Sequence, residues 1–183
     1  MNLVYLVGPP GVGKTTLMAA LTRGCDRTFQ TTPVPHEQLR RGGEPVGLEV
    51  GRRRPGGFSG TDALAMNIQP AAVTWIATKP APLVLGEGAR LATTGFLSGA
   101  RSFGYRVTVF YLHAPEYVLD DRRRERGSNQ DPKWMRGATT RAANIAARMR
   151  LDADVHELDA TAPTETLAAA AVKLEPALEV LNA

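Results

Sequence analysis

Gly8, Gly13, Lys14 and Thr15 stand in the pattern G-x-x-x-x-G-K-[ST]. The pattern lies between an apolar run of strand length, Leu3-Val4-Tyr5-Leu6-Val7, and a run that reads as a helix, Leu17-Met18-Ala19-Ala20-Leu21. This combination builds a cradle for a phosphate chain. Several N–H donors must converge on one spot, and Gly11 and Gly13 tolerate the positive φ that curls a backbone into such a nest. The positive end of the following helix adds to the field. Val12 and Thr16 belong to the same cradle. Lys14 reaches the β- and γ-phosphates as a point charge, and the Thr15 hydroxyl is placed to ligate Mg²⁺.

Phosphoryl transfer needs a phosphate cradle, Mg²⁺, a group that orients the attacking oxygen, and cations for the charge of the transition state. Glu87 follows the apolar run Leu83-Val84-Leu85 and is flanked by Gly86 and Gly88. An acidic residue at the end of such a strand completes the Mg²⁺ site; the plain alternative is a loop acid of no special role. Asp62 is placed to accept a proton from an attacking hydroxyl or to bind substrate, and equally fits a favourable charge in a first helical turn, with Thr61 as the N-cap. Arginines cluster at Arg122, Arg123, Arg124 and Arg126. Arg122 and Arg126 share a helix face by their i, i+4 spacing, Arg123 and Arg126 by i, i+3, and an anion would relieve their repulsion. Asp120, Asp121 and Glu125 are alternative partners. Arg136 and Arg141 lie beyond the next loop and are expected to close over the nucleotide. Trp134 is a candidate for stacking on a base, whereas Trp75 reads as core.

The chain has 183 residues, one cysteine, three dispersed histidines and a formal net charge of +4. That length suffices for a sizeable core in a single domain, 1–183. One cysteine excludes an internal disulfide, and His36, His113 and His156 show no metal-ligand spacing. No apolar run approaches the ~20 residues of a membrane span, Met1-Asn2 leads straight into the first strand, and a cytoplasmic setting is expected. The positive balance suits an anionic partner, either nucleotide phosphates or nucleic acid. Arg52, Arg53 and Arg54 form a second basic cluster inside residues 42–60, a stretch rich in glycine and proline that reads as a mobile substrate loop holding one short strand candidate, Val46-Gly47-Leu48-Glu49-Val50.

The elements that must carry these residues alternate. Strands are expected at 28–32, 83–85, 105–112 and 155–158. Helices are expected from Thr61, at 71–77 after Pro70, at 89–102, from Pro115 to about Gly127, at 133–150 with a break near Gly137, and at 164–181. Such alternation predicts an α/β fold with a mostly parallel sheet and helices on both faces. Ligands then bind at the carboxyl ends of the strands, which places the loop at Gly8, Glu87 and the residues after Leu112 on one edge.

Residues 8–15, Glu87 after the middle strand and the arginine segment 122–126 followed by a loop resemble the P-loop kinases of the nucleoside and nucleotide kinase type. The resemblance implies a three-layer fold, five parallel strands in the order 2-3-1-4-5, ATP as phosphoryl donor, and a lid, about 122–141, whose arginines close on the phosphates. It makes Lys14, Glu87, Asp62, Arg123 and Arg126 the catalytic candidates. Gly8, Gly11, Val12, Gly13, Lys14, Thr15, Thr16 and Arg122 would hold the nucleotide, and Thr15 and Glu87 the Mg²⁺. Three runs narrow the resemblance: Phe58-Ser59-Gly60-Thr61-Asp62, Gly86-Glu87-Gly88, and Arg123 through Gly127, Asn129-Gln130, Trp134, Gly137, Thr140 and Asn144. They look like the bacteriophage kinases that phosphorylate 5-hydroxymethyluracil within DNA. The setting would then be the cytoplasm of the host, and Arg52, Arg53 and Arg54 would lie on the track of the DNA backbone. A kinase of a free nucleoside, a nucleoside monophosphate or another small metabolite is the rival among enzymes, and a regulatory ATP-binding module the rival outside them. The GTPase reading lacks an N-K-x-D sequence, and the mechanochemical reading lacks a second domain.

Overall fold

The computed structural model describes residues 1–53, 59–127 and 131–181. The apolar run at the start forms strand β1, Asn2–Val7, and the helix after the glycine-rich turn is α1, Lys14–Leu21. Three strands follow, β2 Asp26–Gln30, β3 His36–Arg41 and β4 Glu44–Val50. Then come α2 Gln69–Ala77, β5 Leu83–Glu87, α3 Thr94–Ser102 and β6 Arg106–His113. The chain continues through α4 Glu116–Glu125, α5 Pro132–Met149, β7 Asp154–Asp159 and α6 Thr164–Leu174.

One sheet holds all seven strands in the order β2-β3-β4-β5-β1-β6-β7. The five strands from β4 to β7 along that order run parallel, while β2 and β3 join β4 as antiparallel neighbours. The expected five-stranded parallel sheet is therefore corrected to a seven-stranded mixed one. The extra pair arises because His36–Arg41 is a strand that Pro33 and Pro35 hide in the sequence. It alternates buried His36, Glu37 and Leu39 with exposed Gln38 and Arg40. Residues 44–50 are likewise strand, which narrows the expected loop at 42–60.

The side chains of β1 alternate between two cores, as the period of a strand requires. Leu3, Tyr5 and Val7 pack with α2, α3 and the end of α5 through Trp75, Ile76, Phe96, Leu97 and Met149. Val4 and Leu6 pack on the other side with Leu17, Met18 and Leu21 of α1 and Leu167 and Ala171 of α6. Each layer is thus held by apolar burial worth about 25 cal/mol per Å².

Other expectations shift. The helix foreseen from Thr61 is one 3-10 turn, Thr61–Ala63, entered through Gly60 at φ 60°. Helix α5 runs unbroken through Gly137. Residues 89–93 precede α3, whose N-cap Thr93 accepts from the Phe96 N–H at 3.2 Å. The last helix ends at Leu174, where Glu175 turns the chain into a 3-10 helix, Pro176–Leu181. Glu175 has no solvent exposure, accepts from the Thr108 hydroxyl at 2.6 Å and from the Ala177 N–H at 3.1 Å, and so anchors this segment on β6.

Candidate active site

The phosphate-binding loop opens at the carboxyl end of β1. Gly11 and Gly13 adopt φ of 85° and 95°, and Gly13 is the N-cap residue of α1, so the amino end of that helix faces the loop. Val12 is buried and locks the loop to the core beside α1. Lys14 donates through Nζ to the loop's own carbonyls, Gly8 O at 2.9 Å and Pro9 O at 3.1 Å. Burial lowers its pKa, with Glu87 and Asp62 opposing and Arg126 adding to the decrease.

Glu87 ends β5, which lies beside β1 in parallel register. Its Oε1 accepts from the Thr15 hydroxyl at 2.8 Å, so residues 72 positions apart meet where the sequence placed a cation. The carboxyl is 2% exposed, and burial pushes its pKa up to about 7 despite the opposing pull of Lys14 and of the Thr15 hydrogen bond. Hydroxyl and carboxylate are hard oxygen donors suited to Mg²⁺. A carboxyl whose charged form burial disfavours is a group that a divalent cation would satisfy. Among the described residues no group of three or more His, Cys, Asp or Glu could hold a metal, so most ligands of such a cation would come from phosphate and water.

Residues 60–62 clasp the end of β5. The Thr61 hydroxyl donates to Glu87 O at 2.9 Å and lies 2.9 Å from the Tyr5 hydroxyl, which donates to Gly88 O at 3.0 Å. Asp62 accepts through Oδ1 from the N–H groups of Ala89 at 2.7 Å and Arg90 at 3.1 Å. The glycines make this approach possible. A Cβ on Gly86 would sit 2.6 Å from the Tyr5 ring, and one on Gly60 would sit 2.5 Å from Glu87 Oε1. Thr61 is therefore no helix cap: its hydroxyl serves the clasp. Tyr5 and the cap-like bonds of Asp62 were missed from sequence. A lone tyrosine in an aliphatic strand was the available signal.

The arginines divide. Arg123 is 6% exposed, forms ion pairs with Glu116 and Asp120, and donates to Pro10 O at 3.4 Å. Its stem lies under Gly11, where a Cβ would come within 3.1 Å of Arg123 Cγ. It supports the loop from below rather than offering a free cation above it. Arg122 donates to Ala160 O at 2.8 Å and reaches Val12 O at 3.5 Å. Arg126 is exposed at the end of α4. Arg122 and Arg126, with Gly13, Thr16, Ala160 and Ala162, line a pocket of about 250 Å³ beside the loop. The wall at 160–162 follows β7 and was not singled out in the sequence, although it too lies at the carboxyl end of a strand.

The second basic cluster is largely spoken for. Arg53 bonds through Nη2 to the Thr22 hydroxyl at 2.8 Å and to Glu49 at 3.3 Å, and its N–H donates to Glu37 at 2.9 Å. Arg27 completes this network, bridging Glu37 at 2.6 Å and Glu49 at 2.8 Å. The Arg52 guanidinium stacks 4.6 Å from the centre of the Phe29 ring. Arg54, Phe58, Asn129 and Gln130 lie outside the described residues. Trp75 is core, as expected, and stacks with His36 at 4.9 Å. Trp134 is 46% exposed.

A strand, a phosphate-binding turn and a helix, beside a strand that ends in a buried acid, define a P-loop phosphotransferase. The sequence matches the P-loop Nucleotide Kinase3 family over residues 1–158, and the chain belongs to that family. In fold it is similar to a gluconokinase from Sinorhizobium meliloti 1021, with a TM-score of 0.52 and 14% identity over 99% of this chain and 91% of that one. It is also similar to the deoxyadenosine kinase from M. mycoides solved with the products dCMP and a flexible dCDP bound, with a TM-score of 0.51 and 10% identity over 93% of this chain and 97% of that one. No curated protein sequence matches the chain. No helix among the described residues is long and apolar enough to cross a membrane.

Proposed function

We propose that the protein transfers the γ-phosphoryl group of ATP to a hydroxyl in a Mg²⁺-dependent reaction, and that the acceptor is the 5-hydroxymethyl group of 5-hydroxymethyluracil in DNA. The observation that carries the transfer reaction is the Thr15–Glu87 hydrogen bond of 2.8 Å beside Lys14. When bound, Mg²⁺ would neutralise phosphate charge between these two side chains. The backbone N–H groups of the loop bind phosphate oxygens, and Lys14 exchanges its bonds to Gly8 O and Pro9 O for them. Arg122 and Arg126 flank the nucleotide in the adjacent pocket, and Arg126 carries the transition-state charge. Arg123 keeps the loop in shape.

Asp62 holds one carboxylate oxygen in the turn at 89–90, and its Oδ2 has no hydrogen bond among the described residues. In this reading Oδ2 accepts the proton of the acceptor hydroxyl as that oxygen bonds to the γ-phosphorus and the bond from that phosphorus to the departing ADP breaks. The choice of acceptor is supported by the runs at 58–62, 86–88 and 123–144 and by the positive net charge. A base in duplex DNA would be turned out of the stack to reach Asp62.

The test is transfer of label from γ-labelled ATP to hydroxymethyluracil DNA, set against transfer to free hydroxymethyldeoxyuridine. Label on DNA is the expected result. Label on the nucleoside alone would reject the DNA acceptor and leave a small-molecule kinase.

A further inference from the structure

Arg52 and Arg53 at the exit of β4 are engaged, but among the described residues the cations of α5 have no such partners. Over its 18 residues α5 carries Lys133, Arg136, Arg141 and Arg148 and no acid. All four are exposed, and among the described residues none has a carboxylate partner. The acids nearest the two ends are committed: Asp131 accepts from the Trp134 N–H at 2.8 Å, and Asp152 pairs with Arg101 at 2.9 Å. Like charges on one helix repel unless an anion lies against them.

The helix buries Ala138, Ala142, Ala146 and Met149. At the helical period, residues 134, 141 and 148 fall within about 40° of one another, on a line along the exposed flank of the buried stripe. Successive members are about 10 Å apart along the axis. The Arg141 guanidinium leans back toward the amino end of the helix over Gly137, where a Cβ would meet it at 3.2 Å. The amino end of α5 follows α4 on the edge where the strands end, the edge that carries the phosphate-binding loop, and its carboxyl end leads into the start of β7. A bound nucleotide therefore cannot satisfy Arg148, which lies about 20 Å along the helix from Trp134.

We propose that this flank of α5 is a docking track for a DNA strand. Trp134 stacks on an unstacked base at the rim of the site, and Arg141 and Arg148 take backbone phosphates further along. The exposed indole distinguishes this occupant from other polyanions, because every base offers a π-face. The proposal rests on the reading that the acceptor lies in DNA, and it moves the backbone track from Arg52–Arg53 to α5.

The test is fluorescence anisotropy of a labelled single-stranded DNA oligonucleotide with the full chain, without ATP, across a series of salt concentrations. Trp134→Ala should weaken binding by about tenfold at each salt concentration with the log–log slope unchanged, while Trp134→Phe retains most of the affinity. Arg148→Ala should flatten the slope by about 0.7, and Arg141→Ala with Arg148→Ala by about 1.4. ATP affinity and melting temperature of Arg148→Ala should stay at the parent values. Parent-like binding by Trp134→Ala and Arg148→Ala, or no DNA binding by the parent, would overturn the track. A parent that labels hydroxymethyluracil DNA while these variants bind normally loses the track and keeps the acceptor. A parent that binds through Trp134 and Arg148 but labels only free nucleoside keeps the track and loses the acceptor.

Discussion

Lys14 and Glu87 occupy one small volume and respond to it in opposite ways. Lys14 contributes charge rather than packing, for among the described residues its hydrogen bonds are to Gly8 O and Pro9 O alone. Lys14→Ala should lower kcat/KM by about 10³-fold, the scale of losing a preorganised cation or donor, while thermal unfolding stays near that of the parent. Activity equal to the parent would remove the phosphate role. Glu87 should reveal its burial through pH. An ordinary carboxyl titrates near 4.5, whereas Glu87 in the folded chain titrates at about 7. Between these values the folded chain holds a proton that the unfolded chain has released. Stability from this group is thus full below about 4.5, falls as pH rises to about 7, and is level above. The shift corresponds to about 3 kcal/mol. Glu87→Gln does not titrate, so its stability relative to the parent should rise across that window by about this amount in urea unfolding of metal-free protein. A difference independent of pH would refute the buried-acid account. The same variant should lower kcat strongly and flatten its Mg²⁺ dependence.

At the scale of elements, the site is a junction of three pieces: β1 with its loop, the end of β5, and the short turn at 61–63. Tyr5 joins them. Its ring lies where Gly86 has no side chain, and its hydroxyl reaches both Thr61 and Gly88. Tyr5→Phe keeps the ring and removes the bonds. It should cost about 1–2 kcal/mol in denaturant unfolding and lower kcat about tenfold with little change in the KM for ATP, because Asp62 and Glu87 lose their common brace while the loop remains. A parallel rise in the KM for ATP would place the fault in the loop instead. The meander of β2, β3 and β4 is held differently. Its two buried acids, Glu37 and Glu49, share Arg27, and Arg53 adds a second partner for each.

At the scale of the molecule, charge position matters more than the net +4. Arg53 is bound to Glu49, which is 3% exposed in its side chain, and Arg52 to Phe29, so neither is a loose phosphate contact. Replacing both by alanine should flatten the salt dependence of duplex DNA binding by no more than about 0.9, against about 1.8 for two free cations. Arg53→Ala alone should lower stability by about 1–2 kcal/mol, since Glu49 and the Thr22 hydroxyl each lose a donor while the backbone N–H to Glu37 remains. A slope change near 1.8 with unchanged stability would return the DNA track to this segment.

What sequence alone determined is what is contiguous. The strand, the turn, Lys14 and Thr15 lie within fourteen positions, and their dihedral and charge requirements are local, so pattern and chemistry could be read together. Glu87 was legible because an apolar run and two glycines mark a strand end. Tertiary structure decided the rest through pairings between distant residues. His36–Arg41 reads as a broken polar stretch until Arg27 and Arg53 neutralise the buried glutamates beside it. Thr61 reads as a cap until the Tyr5 hydroxyl and Glu87 O are brought to it. The four clustered arginines are equivalent in composition. Only the packing of α4 under the loop commits Arg123 to Glu116 and Asp120 and leaves Arg126 exposed. The physical reason is that local propensity acts over a few residues, whereas burial and ion pairing depend on which segments the sheet brings side by side.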